Sequence, residues 1–333
     1  MKQRYLLLGL ILAIALITGY HYYAASQAEE QIVRLIEEQT GQDPSISVKH
    51  SSVEVTPFTG KVILHDVTII LGNHIERTEQ LTVDLSYLDV LKFYLGGTAY
   101  ALEHLYQAEA QLLRPSYVNK SNLQQVSADS LHLYFDGEAL SGIRAAVSDT
   151  LFTKPQAIRA EGFGFRLQFP KTLVAGLRSQ EFQYEGSVPA GKKSFWEHGS
   201  HTVTMDSLRW KPLEAFQSKY GFFIKGFGYA TDAIPFHSAR IKSSPHPQNG
   251  HLQLESELNS ELALISARAD IGLQQPYGAS TLENATISIS DFSPSFRRVL
   301  ENIEQLLSIS LPRNGEGILI RLEGTLAEPA IAN

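Results

Sequence analysis

Phe163-Gly164-Phe165-Arg166-Leu167-Gln168-Phe169 alternates apolar and polar side chains from end to end. Successive side chains of an extended strand point to opposite faces, so the stretch predicts a strand with one face on an apolar interior and the other in water. The same period recurs on both sides of it. Leu81, Val83, Leu85 and Tyr87 alternate with Thr82, Asp84 and Ser86, and Ile318, Ile320 and Leu322 alternate with Leu319, Arg321 and Glu323. Further strands are expected near 46–56, 61–71, 98–103, 106–113, 127–135, 139–148, 156–161, 179–187, 201–210, 221–230, 233–242, 250–258, 261–271 and 282–290. Many are joined by turn residues such as Asp136-Gly137 and Pro245-His246-Pro247. Within 61–71 the apolar set changes phase between Leu64 and Val67, which reads as a bulge at His65-Asp66. The chain is therefore expected to be mainly β and antiparallel.

Helical patterns are few. Tyr5–Tyr23, YLLLGLILAIALITGYHYY, carries no charge and is long enough for about 28 Å of helix, close to the roughly 30 Å hydrocarbon core of a bilayer. Lys2 and Arg4 precede it and Glu29-Glu30 follow, so an uncleaved anchor would leave the N-terminus cytoplasmic and export the rest. A cleaved signal peptide is the competing reading, with Ser26-Gln27-Ala28 as the small-residue site. Helix is expected to continue to Thr40 with Ile32, Leu35, Ile36 and Gln39 on one face and Gly41 closing it. Tyr87–Leu95 reads as a short apolar helix ending on Gly96-Gly97. Residues 293–309 read as an amphipathic one, with Ser293 as N-cap, Pro294 at the first position and an apolar stripe including Phe296, Val299, Leu300, Ile303 and Leu307.

Composition excludes several classes of function. The chain has no cysteine, so no disulfide framework and no thiolate chemistry can be built. Its net charge is −7, which gives nucleic acid no basis as a partner. Catalytic constellations are near misses. Gly186-Ser187-Val188-Pro189-Ala190-Gly191-Lys192 begins like a phosphate-binding loop, but Lys193 stands where a Ser or Thr must hold Mg²⁺. His198 and His201 beside Glu197 are the only close histidine pair and lack an obvious third ligand, so they read as loop residues. No nucleophile elbow, zinc-protease helix motif or paired carboxylates appear. A non-enzymatic protein with no catalytic residue, metal or cofactor is expected.

The N-terminal third carries a resemblance. An exported anchor runs into a helix ending EEQTGQD, then the strand region ISVKHSSVEVTPFTGKVILHDVTI, then LTVDLSYLDVLKFYLGG and a strand pair ending LLRPSY. This order resembles the N-terminal module of the AsmA-like family, and GILIRLEGTLAEPAI near the end is similar to the closing strand of that family and of the related DUF945 group. The resemblance covers roughly residues 1–118 and 315–331. It implies a protein of the bacterial inner membrane, single-pass, with its bulk in the periplasm. It also implies a long twisted antiparallel sheet curled into an apolar groove, with a link to phospholipid movement towards the outer membrane. The chain then divides into an anchor at 1–25, an N-terminal module at 26–118 and a β-groove body at 119–333, with helix 293–309 and closing strand 316–326.

On this reading Phe163, Phe165, Phe169, Phe223, Phe227 and Tyr229, together with Phe222, line the groove, and the 293–309 helix gates it through Phe296, Val299, Leu300, Ile303 and Leu307. A closed β-sandwich or barrel filled by the same residues is the alternative. The expected ligand is a phospholipid or another acyl lipid, with the membrane engaged through the N-terminal helix. The second functional reading is an accessory of an envelope or secretion machine, binding protein partners through strand edges.

Overall fold

The computed structural model describes residues 2–42, 46–84, 107–136, 151–152, 154–169, 176–192, 195–212, 214–226, 233–246, 250–275, 277–308 and 310–332. Its strands form one 18-stranded sheet in which every pairing is antiparallel. At one edge β1 (Ile46–Lys49) and β2 (Ser52–Val55) lie end to end along β3 (Lys61–Leu71), which pairs with β4 (His74–Asp84). β5 (Gln107–Leu113) and β6 (Ser116–Asn119) share the next row, and β7 (Gln124–Ser127) and β8 (Ser130–Asp136) the one after. The meander continues one strand at a time through β9 (Gln156–Gln168), β10 (Gly176–Val188), β11 (Ser200–Lys211), β12 (Ile234–Pro245), β13 (His251–Asn259), β14 (Leu264–Gly272) and β15 (Thr281–Ser290). At the far edge β16 (Arg313–Asn314) and β18 (Pro329–Ile331) flank β17 (Gly317–Gly324), which pairs with β15. The sheet crosses the expected boundary at 118/119 without a break, because the β6–β7 hairpin straddles it.

Among the described residues four α-helices accompany the sheet: α1 (Lys2–Gln42), α2 (Phe195–His198), α3 (Glu214–Gly226) and α4 (Pro294–Leu307). Only α1 buries a substantial apolar face among the described residues. Ala25 and Ala28 join Val55, Val62, Leu64 and Val67 in a cluster flanked by Ile32 and Ile36, so the expected face of the helix is the one that packs. The side chains of Leu35 and Gln39 lie outside the described residues. α4 starts as its sequence dictates: Ser293 accepts the amide of Phe296 at 3.2 Å, Pro294 fills the first position, and Ser308 ends the helix at φ 52°.

Two expectations change. Residues 221–226 do not form a strand, and 227–230 lie outside the described residues; α3 occupies 214–226, because the run Gly221–Gly226 has no alternation and follows Pro212 as a helix continuing from Glu214. The phase change at His65-Asp66 is present, but it is not a bulge. The pairs Lys61↔Asp84 and Leu71↔His74 bracket β3 and β4 with no residue gained on either strand, so both change face together.

That change is one point on a crease crossing much of the sheet. Asp66, Arg114, Gly164 and Ser207 have φ of 50°, 50°, 64° and 52° and stand at one level on alternate rows. Three of them are not glycine, in a conformation that costs L-residues about 1–2 kcal/mol each. Hydroxyls satisfy the carbonyls exposed there. Thr78 Oγ1 donates to Gln80 O at 2.9 Å and Leu113 O at 2.8 Å, and Ser179 Oγ donates to Asp206 O at 2.8 Å and to Glu181 O. The one Thr78 proton is shared between the two carbonyls; Thr78→Val keeps the shape and removes it, so chemical denaturation should report a loss of about 1–3 kcal/mol. A loss below about 0.5 kcal/mol would show that the crease does not need the hydroxyl.

Candidate functional site

The registers place an unbroken apolar row across the sheet. Reading from partner to partner, it runs Val53, Leu64, Leu81, Leu112, Leu131, Gly162, Phe182, Met205, Ala239, Leu258, Ile265, Ile289 and Ile318. A parallel row two residues along, from Val55 and Val62 to Ile287 and Ile320, departs from small or aliphatic residues only at Tyr184 and Ser256. The opposite face is polar at the intervening level, where Gln111, His132, Glu161, Gln183 and Thr204 stand side by side. Nearby on that face Lys242, Glu255 and Arg268 alternate in sign.

The apolar face is only partly covered. Among the described residues its buried side chains form three separate clusters: one beneath α1, one of Phe152, Val188 and Phe195, and one of Met205, Leu208 and Ala239. Between them lies a hollow of about 380 Å³, within the range of small-molecule sites. Leu81, Leu112, Leu131, Leu133, Phe165 and Phe182 contribute to its walls, with Thr78, Tyr117 and Tyr184 as the nearby hydroxyls. Phe165 and Phe182 stack at 4.8 Å across β9 and β10.

The residues expected at the groove fall in different places. Phe165 lines the hollow. Phe163 does not: it is 55% exposed and borders a polar hollow with Gln80, His132 and Glu161 on the other face. Gly164 is the physical reason, since its positive φ breaks the alternation that should have set Phe163 and Phe165 side by side. Phe169 is half-buried just beyond β9. Phe222 sits on α3 and is 85% exposed; the side chain of Phe223 and all of Phe227 and Tyr229 lie outside the described residues. On α4, Phe296 packs against Phe292 at 5.6 Å, Val299 and Leu300 are half-buried, and the side chains of Ile303 and Leu307 lie outside the described residues. The wall residues Leu112, Leu131, Leu133 and Phe182 were legible in principle, because Leu131, Leu133 and Phe135 alternate as cleanly as the phenylalanines do.

One chain of polar bonds on the apolar face centres on His201. His201 belongs to β11 rather than to a loop, and it is buried. The carbonyl of Phe195, 2.9 Å from Nε2, requires a proton there, so Nδ1 accepts from the Tyr184 hydroxyl at 2.9 Å. Burial pushes the Tyr184 phenol up to about 12. A phenol raised in the fold stays protonated between about pH 10 and 12 while the unfolded chain ionises. Its contribution to stability is complete below pH 10 and is lost as pH rises towards 12. The alkaline slope of stability should therefore be shallower over that window in Tyr184→Phe than in the parent, as measured by denaturation at stepped pH. Equal slopes would remove Tyr184 as the cause.

His198 stands apart from His201, beside a hollow of about 470 Å³ that also borders Glu197, His246 and His251. Among the described residues no group of three or more His, Asp or Glu side chains is placed to hold a metal ion. Among the described residues, too, no helix is long and apolar enough to cross a membrane. The expected anchor is helical within α1, and the side chains of residues 5–14 lie outside that description. Leu16, Tyr20, Tyr22 and Tyr23 are exposed, and contact with the sheet is seen at His21, whose ring lies 4.4 Å from that of Phe58.

No family model, curated protein or solved structure matches this chain. The functional reading therefore rests on the sheet itself.

Proposed function

We propose that this protein is a non-enzymatic, membrane-anchored envelope protein that holds the acyl part of a lipid against the apolar face of its sheet. The observation that carries the proposal is the apolar row from Val53 to Ile318, continuous across the sheet and only locally covered. Most side chains of this row are half-buried, so the face keeps contiguous apolar surface within reach of a ligand, and contiguous patches of this kind mark binding surfaces. Val67 and Tyr184 stand five rows apart, about 24 Å along a flat sheet, yet border one hollow of about 380 Å³. That supports a sheet curled towards its apolar side into a groove, as the AsmA-like resemblance implies. With each methylene taking roughly the 30 Å³ share of a water molecule, the hollow suits one chain of about a dozen carbons.

Pairing through strand edges has less support. The edge amide of Val55 donates to Glu29 Oε1 at 2.8 Å, so α1 already occupies part of the first edge. At the other edge Leu319 N bonds Pro312 O at 3.0 Å, Ala332 N bonds Arg321 O at 2.9 Å, and Pro329 lacks a donor. Edges blunted in this way are poor templates for another strand. The test is photocrosslinking of the full-length protein with a diazirine-bearing phospholipid, followed by peptide mapping. Adducts on β5, β8 and β9 are expected; adducts confined to α1 would refute the groove.

A further inference from the structure

The polar face carries a row of cations that the fold does not explain. Its register runs Lys49, Thr68, Arg77, Ser116, Ser127, Arg166, Arg178, Arg209 and Pro235, with no acidic residue at any position. Arg166, Arg178 and Arg209 are direct neighbours on three successive strands, where facing side chains start about 5 Å apart and like charges repel. Lys211 adds a further cation at the end of β11. Elsewhere on the same face the sheet alternates signs, as in Lys242, Glu255 and Arg268.

Arg166 is paired with Asp129 at 3.0 Å, but among the described residues Arg178 and Arg209 make no ion pair and both are exposed. The nearest acids along these strands, Glu181 and Asp206, stand three residues back across the crease. This concentration of positive charge occurs in a chain of net charge −7. From the same strand end, α3 leads off and exposes Phe222 at 85%.

We infer that this end of the polar face docks on an anionic phospholipid surface. Rigid strands hold the guanidinium groups in a line, of the three only Arg166 is ion-paired among the described residues, and guanidinium matches phosphate in charge and geometry. Phe222, exposed on the helix that follows β11, is a ring of the kind that settles at a headgroup interface. The inference goes beyond lipid occupancy of the groove and stands without it, because Arg166, Arg178 and Arg209 do not border the hollow.

Flotation of the full-length protein with phosphatidylcholine vesicles, with and without phosphatidylglycerol, tests it. The N-terminal helix is common to every sample, so the reading is the ratio of anionic to neutral binding. The parent should favour anionic vesicles by about 10- to 100-fold near 0.1 M salt, and the preference should collapse near 1 M, where the Debye length is about 3 Å. Arg178→Glu with Arg209→Glu should bring the ratio to about one. Should that pair perturb folding, Arg178→Gln with Arg209→Gln should lower the ratio at least about fivefold while relieving repulsion. A parent that binds both vesicles equally, or a folded variant that keeps the ratio, overturns the inference; the first result would direct attention to an acidic protein instead.

Discussion

Full-length protein carrying Leu131→Asp and Phe165→Asp should remain folded and lose at least about tenfold of its phospholipid photocrosslinks on β5, β8 and β9, while those on α1 stay unchanged. Both positions border the same hollow and both are only half-buried, so the new carboxylates reach water when the hollow is empty. An acyl chain entering would strip that water, and an unpaired carboxylate against hydrocarbon costs several kcal/mol. The tenfold threshold asks for only about 1.4 kcal/mol of that. A closed core gives the opposite pattern, in which burying two charges unfolds the protein before any lipid is measured. Retained crosslinks in a folded variant would falsify lipid occupancy of the hollow.

The second large effect concerns the crease. Gly164 has φ 64°, and a Cβ built on it would collide with the Asp129 carboxylate. Gly164→Ala must therefore bear the left-handed backbone and displace the Asp129 carboxylate, which also holds Arg166 at 3.0 Å. The expected destabilisation is about 2–4 kcal/mol, with Gly164→Val worse because β-branched residues tolerate positive φ least. Asp129 is exposed and its ion pair contributes little, so Asp129→Ala alone should cost less than about 1 kcal/mol. The double variant should then recover part of the Gly164→Ala loss. Additive losses would show that the backbone conformation, and not the clash, sets the cost.

Much of the architecture was legible in the chain because the period-two pattern is a direct image of strand geometry. Alternation in Leu81–Asp84, Gly317–Gly324 and β9 named the strands, and Ser293-Pro294 named the start of α4 before any packing was known. The run Gly221–Gly226 misled, since a short apolar stretch has no period to separate helix from strand. The site was less legible. Alternation assigns a residue to a face relative to its neighbours only while the backbone stays extended, so a single αL residue reverses the assignment for everything beyond it.

Gly164 shows the consequence within the most regular stretch of the chain. The sequence by itself determined an antiparallel, cysteine-free sheet with one apolar side and a chain without a recognisable catalytic motif. It also determined the apolar N-terminal segment, whose lack of charge is a local property. Only the tertiary structure decided that Phe163 and Phe165 point to opposite faces, that Leu112, Leu131 and Phe182 share one row, and that three arginines stand abreast. The physical reason is register: cross-strand neighbours are set by hydrogen bonding between segments distant in sequence, and no local pattern encodes which residue ends up beside which.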